Sequence, residues 1–173
     1  KPAAGVAGTV NTITFSPDTS FAADFTSVEK IFIGDPNTGT RQGAHGLFLN
    51  TVAVGQNLPK FTVRDCYIGQ GGGYAIYHLN VTANSGDSIV VRNNILSGTG
   101  TGVYAALTPG ASLLSILDNN ITTNQSAIVI LSGMRVNILR NNIEHSVAGS
   151  SSNSVIDVVS SGGTYVAGVI QQN

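Results

Sequence analysis

The chain has 173 residues and a net charge of -1, and only 10% of its residues are charged, against roughly 25% in ordinary globular domains. That balance speaks against a nucleic-acid partner or an anionic membrane, both of which need clustered cations. The 18 Val, 15 Ile and 16 Thr, together with 21 Gly, 16 Asn and 17 Ser, describe strands and turns rather than a helical bundle.

In chain order, residues 1–27 read as an irregular N-terminal cap. Ser16-Pro17-Asp18-Thr19-Ser20 is a turn with several helix N-cap candidates. A short amphipathic helix fits between Ser20 and Lys30, with Phe21, Phe25 and Val28 on one side. Ile31-Phe32-Ile33 starts the first coil of a domain spanning 28–173, and Asp35-Pro36-Asn37-Thr38-Gly39 is a turn.

From there the chain repeats itself. Phe61 to Ile68, Ile89 to Leu96, Ser115 to Thr122 and Asn137 to Glu144 align without gaps, and Tyr165 to Gln172 reads as a fifth copy. This alignment puts Val63, Val91, Leu117 and Leu139 in one core column, and also lines up Tyr67, Ile95, Ile121 and Ile143. Between these copies lies a second series. It comprises Gly46-Leu47-Phe48-Leu49, Ala75-Ile76-Tyr77-His78, Gly102-Val103-Tyr104-Ala105, Ala127-Ile128-Val129-Ile130 and Val155-Ile156-Asp157-Val158. Each alternates with the period of a strand, placing Leu47, Ile76, Val103, Ile128 and Ile156 inward.

Strands that repeat in sequence predict a solenoid, in which each coil stacks on its equivalent about 4.8 Å away. A sandwich has no such need. The doublets Asn93-Asn94, Asn119-Asn120 and Asn141-Asn142 support this. Asn tolerates a left-handed corner, and its amide can bond to the Asn of the next coil as a ladder. Asp65-Cys66 is the degenerate end of that ladder. Which Asn of each pair takes the corner is open at this level.

The motif Val91-Arg92-Asn93-Asn94-Ile95 followed by Gly102-Val103-Tyr104-Ala105 resembles the right-handed parallel β-helix family of pectate-lyase-like proteins. The resemblance implies an all-β fold of about five coils. Low charge and Ser/Thr/Gly/Asn richness look most like a bacteriophage tailspike or tail fibre. That resemblance implies a homotrimer in the virion tail, or otherwise outside the cell, that binds bacterial surface polysaccharide. The same scaffold also carries polysaccharide hydrolases and lyases, and purely structural or adhesive solenoids.

The residues name no catalytic motif, and no cofactor or metal is expected. The single Cys66 forms no intrachain disulfide, and no apolar run approaches the roughly 18 residues that span a bilayer. Lys1 stands where a Met would, which reads as the start of a fragment of a longer protein. His45, His78 and His145 fall in different columns. Glycosidic cleavage would need two carboxylates about 5–10 Å apart; the candidates are Asp118, Glu144 and Asp157. Asp118, aligned with Arg64, Arg92 and Arg140, reads as part of a charge ladder.

The most informative surface is an outward column of Phe48, Tyr77, Tyr104, Val129 and Asp157, beside Asn50, Leu79, Ala106, Leu131 and Val159. Two adjacent apolar columns call for a cover. Aliphatic Leu79 and Leu131 favour a subunit interface; the aromatic rings also suit a carbohydrate. Either way, Phe48, Tyr77, Tyr104, Leu79 and Leu131 are expected to be exposed in a lone chain.

Overall fold

A computed structural model describes residues 11–15, 27–34, 45–51, 58, 60–70, 72–80, 88–98, 100–107, 113–131, 135–145, 155–159 and 167–173. They form seventeen short strands and, among the described residues, no helix. Sheet A holds β1 (Asn11–Phe15), β4 (His45–Asn50), β7 (Tyr74–Asn80), β10 (Thr101–Leu107), β13 (Ile128–Leu131) and β16 (Ile156–Val159). Sheet B holds β2 (Ser27–Glu29), β5 (Phe61–Arg64), β8 (Ser88–Arg92), β11 (Leu113–Leu117), β14 (Arg135–Leu139) and β17 (Ala167–Gln171). Sheet C holds β3 (Phe32–Ile33), β6 (Tyr67–Gln70), β9 (Ile95–Gly98), β12 (Asn120–Thr123) and β15 (Asn142–His145). Every pairing is parallel and joins one strand to its equivalent three strands later. The chain is therefore a parallel β-helix of three-strand coils: five complete, the sixth represented by β16 and β17.

The core is what the three sheets enclose. Leu47, Ile76, Val103 and Ile128 point in from sheet A, in the register expected from the sequence. Sheet B differs. Val63 and Val91 lie level with Ile116 and Ile138, not with Leu117 and Leu139. Leu117 and Leu139 instead continue the outward column of Arg64 and Arg92. On sheet C the inward residues are Ile68, Leu96 and Ile121, while Tyr67 and Ile95 face out level with Asn120 and Asn142. The last copy is likewise displaced: Ile170 pairs Ile138, and Gln171 pairs Leu139.

The corner between sheets B and C explains the slip. Lys30, Asp65, Asn93, Asp118, Arg140 and Gln172 all take a left-handed conformation, with φ of 54–56°. Asp65, Asn93 and Asp118 are of types that tolerate this conformation, whereas Lys30, Arg140 and Gln172 are held in it by the strands they adjoin. The next residue is Ile31 in the first coil and a ladder rung in the others: Cys66, Asn94, Asn119, Asn141 and Asn173. Asn93 thus takes a corner and Asn94 a rung, whereas in the later doublets Asn119 and Asn141 are rungs, and Asn120 and Asn142 are exposed residues beyond them. Aligning the doublets shifts the register by one residue.

The ladder satisfies every polar atom of its side chains. Asn119 Oδ1 accepts from the backbone N–H of Asn94 at 3.0 Å and from Asn94 Nδ2 at 3.0 Å. Asn119 Nδ2 donates back to the Val91 carbonyl at 2.9 Å and forward to Asn141 Oδ1 at 2.9 Å. Asn94 and Asn141 repeat this pattern, and Asn173 extends it. Cys66 fills a rung with a thiol, a weak donor within reach of the Arg64 carbonyl at 3.1 Å and the Val28 carbonyl at 3.6 Å. Burial pushes that thiol above its ordinary pKa.

The N-terminal segment also departs from expectation. The fold extends into residues 1–27: β1 pairs β4, with Ile13 level with Leu47 and Phe15 level with Leu49. Phe15 meets the Phe61 ring edge-on at 5.3 Å. The 27/28 boundary falls inside β2, so Ser27–Glu29 is strand where the helix was expected. The remainder of that expected helix, 20–26, lies outside the described residues, as does the turn at Asp35 to Gly39.

Two stability outcomes follow from the ladder. Asn119→Ala orphans the buried Asn94 N–H and Val91 carbonyl, costing about 1–3 kcal/mol per group, whereas Asn120→Ala changes little in urea denaturation. Equal losses would contradict the rung assignment. Cys66→Asn supplies the missing amide to Val28 and Asn94, and raises the thermal midpoint by the worth of about one hydrogen bond, ~1 kcal/mol.

Candidate functional site

The outward face of sheet A is the candidate site, and its geometry starts from a small-residue column. Gly46, Ala75, Gly102 and Ala127 open the successive sheet A segments. A Cβ on Gly102 would sit 2.7 Å from Ile121 Cγ2 and 2.7 Å from the Ala127 carbonyl oxygen, too close for any larger side chain. Gly46 and Leu47 are both buried, as are Ala75 and Ile76. The usual in-out alternation is interrupted there, so residues three apart emerge on one face.

That interruption adds His45 to Phe48, and Tyr74 to Tyr77. Parallel pairing then brings Phe48, Tyr77 and Tyr104 level in consecutive coils. The result is a five-ring cluster across coils two to four. Phe48 and Tyr77 lie near-parallel at 4.9 Å, Tyr74 and Tyr104 at 4.3 Å, and His45 and Tyr74 at 4.9 Å. Tyr77 meets Tyr104 edge-on at 5.4 Å. Near-parallel rings this close cannot lie side by side in one plane; they overlap as offset stacks. Each ring therefore covers part of its neighbour.

This overlap corrects one expectation. Phe48, Tyr77, Tyr104, Leu79 and Leu131 are half-buried in the single chain rather than exposed. Burial raises the phenol pKa of both Tyr77 and Tyr104, with neighbouring tyrosines adding to it. Asp157 stands in the same column two coils beyond Tyr104, past Val129. Leu79, Ala106, Leu131 and Val159 form the adjacent column, as read from the sequence. The sequence did not single out His45 and Tyr74. Their signal was available: an aromatic or His three residues before Phe48 and Tyr77, with a Gly or Ala next to it.

The other candidates do not gather. Asn94, Asn119 and Asn141 are core, while Asn93, Asn120 and Asn142 are exposed beside them, away from sheet A. Asp118 shares its column with Arg140 but not with Arg64 or Arg92, which precede the corner. Arg140 grips Asp118 with both forks, at 2.7 and 2.8 Å, and holds its carboxyl below the ordinary range. Arg64 bonds Glu29 at 2.6 Å in the same inter-coil manner. Glu144 faces out from sheet C and Asp157 from sheet A, so the two acids stand on different sheets. His78 is buried and inward. Among the described residues, no three His, Cys, Asp or Glu side chains form a group that could hold a metal ion.

Compared with known families, the chain matches the model described as a right handed beta helix region over residues 7–169. The chain belongs to the right-handed beta helix family. No curated protein and no solved structure matches it. In this right-handed β-helix, the match spans the ring cluster and the ladder from Cys66 to Asn141.

The raised phenols give the site a pH signature. Tyr77 and Tyr104 hold their protons more tightly in the folded chain than in the unfolded one, so their contribution to stability is complete below the ordinary phenol pKa, about 10, and is lost as pH rises beyond it. Phenolate absorbance should show a late-titrating fraction that Tyr77→Phe and Tyr104→Phe each reduce. A wild-type curve with no late fraction would contradict the packing of these rings.

Proposed function

We propose that this β-helix is a tailspike- or tail-fibre-type segment of a bacteriophage that binds bacterial surface polysaccharide as a homotrimer, on the virion tail or otherwise outside the cell. The observation that carries this reading is the five-ring cluster on the outward face of sheet A. Its rings are already held by one another and by the parallel register. Binding therefore costs little side-chain ordering. Three phenol groups accompany the apolar ring surface, which suits the mixed apolar and hydroxyl character of a sugar. Stacked coils also hold the rings at a regular spacing over a stiff scaffold, which fits a repeating polymer.

The aliphatic column beside the rings supports the trimer. Leu79, Ala106, Leu131 and Val159 offer no hydrogen bonds to a sugar, and packing between subunits is the usual fate of such a strip. The two columns then divide the labour: rings for glycan, aliphatics for the neighbouring chain. The scattered carboxylates favour binding over cleavage as the role of this segment.

Binding to immobilised lipopolysaccharide and capsule preparations tests the reading. Tyr77→Ala and Tyr104→Ala should each weaken binding about tenfold, the worth of one aromatic contact of ~1.4 kcal/mol, with circular dichroism unchanged. Leu131→Asp should convert a trimer to monomer or aggregate in light scattering. A Leu131→Asp protein that stays trimeric would remove the interface role, and Tyr77→Ala and Tyr104→Ala proteins that bind normally would remove the glycan role.

A further inference from the structure

The charges of the described residues are segregated by sheet. All six described cations, Lys30, Lys60, Arg64, Arg92, Arg135 and Arg140, lie on sheet B or at its two ends. Three carboxylates share that side: Glu29 and Asp118, which are paired to Arg64 and Arg140, and Asp65. Sheets A and C carry no Lys or Arg among their described residues. Their only described carboxylates are Asp157 and Glu144. Among the described residues, the ring cluster therefore has no Lys or Arg on its sheet, and the charge nearest along its column is the negative one of Asp157.

We infer that the glycan taken by sheet A is uncharged: a neutral hexose polymer rather than a uronic-acid or phosphate-bearing one. This deepens the proposed function and rests on its placement of the glycan at the rings. An acidic polysaccharide is held by Arg or Lys through charge-assisted hydrogen bonds. Among the described residues, sheet A supplies none and sets Asp157 against it. A neutral polymer needs what the face does offer: partly covered aromatic surface and neutral phenols, which accept and donate hydrogen bonds to hydroxyls. Arg92, exposed on sheet B, is the control, because an anionic polymer would seek that side instead.

The chain contains no Trp and five Tyr, three of them in the cluster, so its intrinsic emission reports on the site. Tyrosine emission and affinity electrophoresis would be measured with dextran, mannan and a β-1,3-glucan, and with polygalacturonate and alginate, at low and high salt. The expected result is binding of at least one neutral polymer, insensitive to salt, weakened about tenfold by Tyr77→Ala and unaffected by Arg92→Gln. A second variant, Tyr77→Phe, keeps the ring and should bind the neutral polymer more tightly than Tyr77→Ala, which separates loss of the aromatic contact from misfolding. Tighter binding of an acidic polymer that collapses with salt and with Arg92→Gln overturns the inference, while glycan binding itself survives on another face. Binding of none of the five overturns the inference, and the proposed function then stands or falls on the bacterial preparations.

Discussion

The fold depends on one arrangement: a buried amide at the corner between sheets B and C, repeated coil after coil. A buried backbone N–H without a partner is expensive, and a corner between two sheets is where the strand ladder fails to supply one. Each Asn amide provides the acceptor for the coil before it and sends its own two hydrogens in opposite directions, one to a carbonyl and one to the next amide. Once that bond pattern is set, the position of every strand relative to the one beneath it is fixed. The hydrophobic columns then close over the interior as a consequence, with Val63, Val91, Ile116 and Ile138 level on one side and Leu47, Ile76, Val103 and Ile128 on another.

The same register builds the outer surface. Parallel pairing sets like positions one strand spacing apart, about 4.8 Å, which is close to the spacing at which aromatic rings overlap as offset stacks. Phe48, Tyr77 and Tyr104 therefore interact simply by recurring in the same place, and Arg140 finds Asp118 in the same way. Function on such a scaffold is written in columns. A side chain gains neighbours from other coils, and what matters chemically is the sequence of residues read across the coils rather than along the strand.

The legibility of the sequence followed from how strictly each position is constrained. The sheet A columns could be read because four of the five repeated segments open on a Gly or Ala, two of them at positions with no room for a Cβ, which pins the alternation after it. Sheets B and C were read correctly in type but not in register. The left-handed corner accepts Asn93, Asp118 and Arg140 alike, so the Asn-Asn doublet marks two different places. Only the rung requires an amide, and hydrogen-bond geometry, not residue type, tells rung from neighbour. The first coil was hidden for a related reason. Ile31 stands where later coils have Cys66 or Asn, leaving no doublet to align, and β1 was assigned to a cap. His45 and Tyr74 were missed because a strict two-residue alternation assigns them to the wrong side.

Successive rungs are separated by 28, 25, 22 and 32 residues along the chain, yet their amides meet at the same distances. Coil length is thus decoupled from coil position. Extra residues placed between rungs do not propagate an error into the next turn, because the next amide resets the count. A scaffold of this kind can acquire, lose or exchange whole surface loops one at a time without re-solving its interior. Evolution can therefore vary the loops while inheriting the frame unchanged, and a protein engineer could graft a binding loop into one turn with the rest of the molecule as an untouched ruler.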